Sequence, residues 1–368
     1  MNKLLKFIFS FVVVITITIP YSCSIKNNKK QDEFIVRQWY IKNDGVCKGM
    51  TINPDFCQNT KLKKGIDINI MPIWSKQFET KREVVVAIID TGINFLHEDL
   101  KDKVWINKEE IPGDNIDNDN NGFIDDIYGW NFCNNDNDLM SGEELYENDH
   151  GTMEAGIIAA RHNSIGIAGN CNVKIMNIKI LYGIAHKGNI KNLIKGIKYA
   201  EKMGADICNL SIGFTERSKE LEKIISVSPM LFVVSAGNNG IDIDEKKQYP
   251  ASYLLDNLIT VANMEFDGKL DTSSNYGEKT VDTAAPGTNL FSTCVDGYDY
   301  ATGTSMATAV VTGVASLLYS SSENATPQNV KTAICNNVSF VNEFDGLIRS
   351  KGYINANKAL NFLLNYKS

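Results

Sequence analysis

Three short stretches, far apart in the chain, hold the side chains of nucleophilic catalysis: AIIDTGI around Asp90, DHGTMEAG around His150 and GTSMATAVVTG around Ser305. A serine hydroxyl is a weak nucleophile until an imidazole takes its proton, and the imidazole needs a carboxylate to hold its tautomer. Ser305 opens the apolar, small-residue run SMATAVVTGVASLL, which reads as a helix. Its hydroxyl and backbone N–H are therefore expected at a positive helix end, suited to a developing oxyanion. Asn238, directly after VVSAG, can supply a second donor through its side-chain amide. Taken alone, His150 reads better as a helix-capping histidine; Asp90 and Ser305 turn the reading to catalysis. His162 and His186 fall in loops and are assigned no catalysis.

Such groups must be carried to one place by the fold. From residue 84 onward, apolar runs at 84–90, 173–181, 206–213, 230–237 and 257–263 read as strands buried on both faces, the pattern of a parallel sheet. Helical spacing with charges on one side occupies 189–203 and 218–227 between them. Strand–helix–strand repetition implies an α/β fold with right-handed crossovers, here a three-layer, doubly wound, mostly parallel sheet with helices on both faces. In open α/β sheets chemistry collects at the carboxyl ends of strands. Asp90, Ser211–Gly213 and Asn238 all stand directly after such runs.

Hydrophobic content of 43% and charged content of 22% over 368 residues are those of a globular protein with a sizeable core. A net charge of −7 argues against nucleic acid as a partner. The N-terminus, residues 1–22, has the lysines and uncharged run of a secretory signal peptide and is too short in its apolar part to span a bilayer comfortably. Residues 23–31 read as a solvated tether, and 32–366 as one domain without repeat or linker. Eight cysteines in an exported chain permit disulfides; Cys47 and Cys57 flank a polar loop and form the most plausible pair. Cys208 and Cys335 lie in apolar stretches that suit buried free thiols.

A second signal is DNIDNDNNGFIDDIYGW, residues 114–130. Asp117, Asp119, Asn121, the turn glycine Gly122 and Asp125 have the offsets of a calcium loop with oxygen ligands at alternate positions. Tyr128 stands where an EF-hand would close with glutamate. Calcium (Ca2+) is the expected ion, because so many carboxylates in one turn repel each other without one.

In the order Asp, His, Ser, and through QWYIKN, DINI, HEDL, NLSIG, AGN, YPASY, DTAAPG and GYINANKAL, residues 32–362 resemble the subtilisin-like serine proteases, or subtilases. The resemblance implies that Asp90 orients, His150 is the base, Ser305 attacks and Asn238 helps bind the oxyanion, while His97 occupies a structural position. It implies that an extended peptide or protein substrate is held as an added β-strand by Ser211, Ile212 and Gly213 on one side and AHKG, ending in Gly188, on the other. Gly237 is then expected beside the first specificity pocket, and Gln248 to shorten it. A further calcium site is implied: Asn163 through its side-chain oxygen, Arg161, Ile165 and Ile167 through carbonyls, and Asp32 and Asp99 as carboxylates. Cys23 resembles the lipidated cysteine of bacterial lipoproteins, although PYS before it departs from the usual small-residue box; with and without a membrane tether both stay open.

Two departures from the family pattern stand out: Met153 and Glu154 replace its usual His and Val, and Ala309 its Pro. Glu154 could raise the imidazole pKa, contact substrate or pair with a lysine. Only about ten residues separate the expected signal from the family-like core, so a separate folding-assistant prodomain is not expected. The expectation is an exported, calcium-stabilised, monomeric serine endopeptidase, of broad action or dedicated to one secreted peptide. The rival is a catalytically inactive subtilase fold used for peptide binding or adhesion.

Overall fold

A computed structural model describes residues 32–46, 62–76, 79–142, 146–183 and 185–365. The signal, the tether with Cys23, and the Cys47–Cys57 pair lie outside the described residues. Among those described, no helix is long and apolar enough to cross a membrane.

Eleven strands are present among the described residues: β1 (Val85–Asp90), β2 (Gly129–Asn131), β3 (Lys174–Lys179), β4 (Ile207–Leu210), β5 (Leu231–Ser235), β6 (Leu258–Met264), β7 (Thr283–Pro286), β8 (Leu290–Cys294), β9 (Gly297–Ala301), β10 (Ser339–Phe340) and β11 (Gly352–Tyr353). Nine form one sheet in the order β2-β3-β1-β4-β5-β6-β7-β11-β10, parallel throughout except for the β10–β11 edge; β8 and β9 make a separate antiparallel hairpin. The chain leaves β1 toward one edge through β2 and β3, then returns to β4 on the other side, so the crevice of the doubly wound sheet opens beside the carboxyl end of β1.

The five apolar runs read as strands become β1 and β3 to β6, and the two amphipathic patterns become α2 (Ile190–Lys202) and α3 (Lys219–Val227). Both helices start at side-chain caps: Asn189 accepts from the Asn192 N–H at 2.9 Å, and Ser218 from the Leu221 N–H at 3.2 Å. Two other helices carry His150 and Ser305, α1 (Asp149–Ala159) and α4 (Thr304–Ser321). Every residue of α4 is buried, as is α1 from Gly151 onward, so these two are central helices rather than surface ones.

Register shows which layer lies where. Ile88 is level with Asn177 and Asn209, and Ile89 with Ile178 and Leu210. Gly196 of α2 packs so close to Ile89 and Ile178 that a Cβ there would lie 3.4 and 3.1 Å from their methyl groups. The opposite face, through Asn209, bonds Glu154 of α1 and Thr312 of α4. Helices therefore cover both faces, and the two central ones share one. The β8–β9 hairpin grips α1 from outside: Ser292 Oγ donates to the Met153 carbonyl and Thr293 Oγ1 to that of Thr152, each at 2.7 Å.

Candidate active site

Asp90 ends β1 and is buried, where the sheet's crevice opens. Its Oδ1 accepts from the Thr91 N–H at 2.7 Å and lies 2.8 Å from His150 Nδ1; its Oδ2 is buried without a hydrogen-bond partner. His150 belongs to the first turn of α1, and the following glycine lets that turn reach the strand. A Cβ on Gly151 would sit 2.5 Å from the Gly92 carbonyl oxygen. The Gly151 N–H instead donates to Thr91 Oγ1 at 3.1 Å, fastening helix to strand end.

Ser305 stands in the first turn of α4, just inside the end where backbone N–H groups lack helical acceptors. It lines a cleft of about 420 Å³ together with His150, Asn238, Ser211, Met153 and His186. No side-chain hydrogen bond to Ser305 occurs among the described residues; such contacts commonly tighten only when substrate binds. Asn238 accepts from the Thr304 N–H at 2.8 Å and from Thr304 Oγ1 at 3.0 Å through its carbonyl oxygen. That fixes the amide, so its NH2 faces away from Thr304, and a Cβ on Gly303 would be 3.3 Å from it. Ser305 N–H and the Asn238 NH2 have no acceptor among the described residues, which leaves two donors beside one hydroxyl.

Electrostatics couple the pair. Burial pushes the His150 imidazole down, but the charge and hydrogen bond of Asp90 more than reverse this and raise it above its ordinary value. Burial works against the Asp90 carboxylate, while His150 and the Thr91 N–H hold it below the usual range. Glu154, one turn beyond His150, is fully buried. Its Oε2 accepts from Asn209 Nδ2 at 3.0 Å and its Oε1 bonds the Ser211 hydroxyl. Burial first, and the charge of Asp90 second, push this carboxyl up to about 8. Of the three roles the sequence left open, no lysine among the described residues pairs with Glu154, and burial keeps the carboxyl itself from substrate. His186, assigned no role from sequence, lies with its ring centre 4.9 Å from that of His150. A histidine in a loop carries no periodic signal, so only the fold could put it there.

The remaining expected site residues fall around this cleft. Ser211 and Ile212 continue β4, and the exposed Gly213 follows; neither Ile212 nor Gly213 makes a backbone hydrogen bond among the described residues. Phe214 and Tyr249 exchange backbone bonds of 2.7 Å, which brings Gln248 next to the strand extension, although Gln248 does not line the cleft itself. Gly188 follows a tight turn in which Tyr182 and Lys187 exchange backbone bonds. Gly237 has φ +101°, and a Cβ there would lie 2.4 Å from Asn275 Nδ2, so the backbone beyond β5 is open only to glycine.

Both expected cation regions are ordered by carboxylates. Asp32 accepts from the Asn163 and Ser164 N–H groups at 2.7 Å each, and Asp99 from Ile167 N–H at 2.9 Å and Asn163 Nδ2 at 3.3 Å. The carbonyls of Arg161, Ile165 and Ile167 accept no hydrogen bond among the described residues, while Asn163 Oδ1, the expected side-chain ligand, accepts from the Ile165 N–H at 2.8 Å. That donor set fits a hard cation.

The acidic loop is arranged differently from its expected offsets. Asp117 holds the Asn121 and Gly122 N–H groups, and Asp125 those of Gly113 and Asn115. Asn121 Oδ1 accepts from Phe123 N–H. Of the expected ligands Asp119 alone joins a carboxylate cluster, with Glu110 and Asp126, their oxygens within 4.8 Å of one another. The DD pair at 125–126 gives the second aspartate to the inside, a choice of face that linear spacing does not reveal. Cys133, Cys171, Cys208, Cys294 and Cys335 are free thiols.

A doubly wound parallel sheet with two buried central helices presenting histidine and serine beside the first strand's aspartate defines the subtilisin-like α/β class. A family model described as the subtilase family matches residues 81–360. Subtilisin-like protease 1 of Plasmodium falciparum is 33% identical over 77% of this chain, which spans only 44% of that protein. Thermitase of Thermoactinomyces vulgaris is 34% identical over 75% of this chain and 88% of its own length. A crystal structure of a cold adapted subtilisin-like serine proteinase aligns with a TM-score of 0.56 and 25% identity, over 74% of this chain and 86% of that one. The chain belongs to the subtilase family.

Proposed function

We propose that the chain is a serine endopeptidase that hydrolyses peptide bonds through Asp90, His150 and Ser305, with Asn238 and the Ser305 N–H as oxyanion donors. The observation that carries this reading is the 2.8 Å Asp90–His150 bond beside a cleft lined by Ser305 and Asn238, where the Ser305 N–H and the Asn238 NH2 are both unclaimed among the described residues. His150 takes the Ser305 proton as the hydroxyl attacks the carbonyl carbon. The oxyanion moves onto the two donors, and His150 returns the proton to the leaving amine. Water repeats the cycle on the acyl-enzyme. The unbonded backbone of Ile212 and Gly213 is an edge to which an extended peptide can add as a strand, with Gly188 and its turn opposite and Gly237 and Gln248 toward the first pocket.

Calcium is proposed at Asp32, Asp99, Asn163 and the carbonyls of Arg161, Ile165 and Ile167, where it would tie the segment at Asp32 to the body. A second ion fits Glu110, Asp119 and Asp126. The N-terminal sequence supports export, with the fold proposed to occupy 32–366. A fluorophosphonate probe tests the chemistry: folded protein is labelled, and Ser305→Ala is not. Folded wild type that resists the probe would instead support the inactive peptide-binding module.

A further inference from the structure

Glu154 lies where no serine hydrolase step requires a carboxyl. It is 0% exposed, on the helix of His150, and its carboxyl and those groups of Asp90 and His150 lie within 4.8 Å of one another. The groups facing it are Asp90 from β1, His150 from its own helix, and Asn209 and Ser211 from β4 and its extension; Asn209 is held in turn by Thr312 of α4 at 2.7 Å. His150, the sole cationic candidate among them, is bonded to Asp90. The nearby buried Lys179 bonds Glu147, Asn148 and the Thr91 carbonyl instead. His186, beyond His150, is itself pushed below its ordinary value by burial and by His150. Two carboxylates sharing one imidazole in a closed space do not both ionise readily. Asp90 Oδ2 is buried without a donor, so Asp90 leans on His150 and the Thr91 N–H for its charge and leaves no cation over for Glu154.

We propose that Glu154 is a protonated positioning residue whose proton sets the sense of the Ser211 hydroxyl at the cleft wall. With the proton on Glu154 Oε1, the carboxyl donates to Ser211 Oγ, and the hydroxyl hydrogen of Ser211 is free to point into the cleft toward a bound peptide. When the proton leaves to solvent, Ser211 turns to donate to the new carboxylate and offers the cleft only lone pairs. Asn209 donates to Oε2 in both states, so the network joining α1, β4 and α4 stays intact. The upward displacement of the carboxyl agrees with this arrangement. The mechanistic consequence rests on the protease reading; the protonation of Glu154 does not.

Glu154→Gln copies the protonated state permanently, because the amide NH2 donates to Ser211 and its oxygen accepts from Asn209. Wild-type kcat/KM should fall about two- to tenfold on the alkaline side as one donor to substrate is lost. Glu154→Gln should hold its alkaline plateau. Infrared difference spectra of the folded full chain supply a readout apart from activity. A protonated-carboxyl band at pH 6 should vanish with rising pH, be missing in Glu154→Gln and shift in Ser211→Ala, which keeps Glu154. No such band, or one that Ser211→Ala leaves unmoved, overturns the proposal. A band in protein that fluorophosphonate fails to label would sink the protease reading and leave the Glu154 proton standing.

Discussion

Among the described residues, two largely buried clusters each gather three side chains with ligating atoms within 4.8 Å of one another, and they neutralise themselves by opposite means. Around Asp90, His150 and Glu154 an imidazole is present, so protons balance the charge and the balance shifts with pH. Around Glu110, Asp119 and Asp126 there is no imidazole among the described residues. Amide groups crowd in instead: Asn107 and Asn121 each donate to both aspartates, and backbone N–H groups of Asn118, Asp119 and Asp125 donate to Glu110. The first arrangement sets an imidazole between two carboxyls; the second is a cage of fixed dipoles around three carboxylates, the place proposed for a divalent cation. Carboxylate density alone therefore says little; the partner that neutralises it determines whether the site is chemical or structural.

Removing the nucleophile is the severest test of the first cluster. Ser305→Ala should lower kcat on the order of 10⁶-fold in a peptide-hydrolysis assay, the scale known for this change within the same family. Substantial residual turnover would detach the cluster from catalysis. Asn238→Ala should lower kcat about 10²–10³-fold, again a figure from a family member, with KM little changed. A loss confined to KM would place the amide on substrate rather than on the oxyanion.

For the second kind of neutralisation, chelation should lower the melting temperature and hasten self-cleavage. An ion at 100 times its Kd contributes about 2.7 kcal/mol. Asp99→Asn should reduce the calcium dependence in calorimetry; identical melting and lifetime with and without EDTA would end the calcium argument. Within the acidic loop, Glu110→Gln and Asp126→Asn should weaken calcium binding in titration calorimetry more than Asp117→Asn does. Equal effects would restore the ligand set expected from alternate offsets. The mildest test is pH: since Asp90 raises the imidazole, and the base must be neutral, the acid limb of kcat/KM should lie above the ordinary histidine value of about 6.5. A midpoint below that value would mean the carboxylate does not act on the imidazole.

The strands and the helix that opens at Ser305 were legible because they are marked locally. Continuous apolar, β-branched runs such as VVVAIID suit buried strands, and a polar residue at the end of one is placed where the crevice opens. Short strands such as Ser339–Phe340 and Gly352–Tyr353 were not legible, since two residues carry no periodicity and pair only because neighbours supply the edge. His186 and the inward choice of Asp126 over Asp125 were equally invisible.

The sequence by itself determined the order of layers and the chemical types at the strand ends, because burial pattern and backbone periodicity are local properties of the chain. It also held Glu154 in plain view without assigning it a partner. Only the tertiary structure decided that this carboxyl bonds Ser211 and Asn209, and that Glu110 joins Asp119. Side chains 55 and 57 residues apart meet through crossover geometry, which no spacing along the chain encodes.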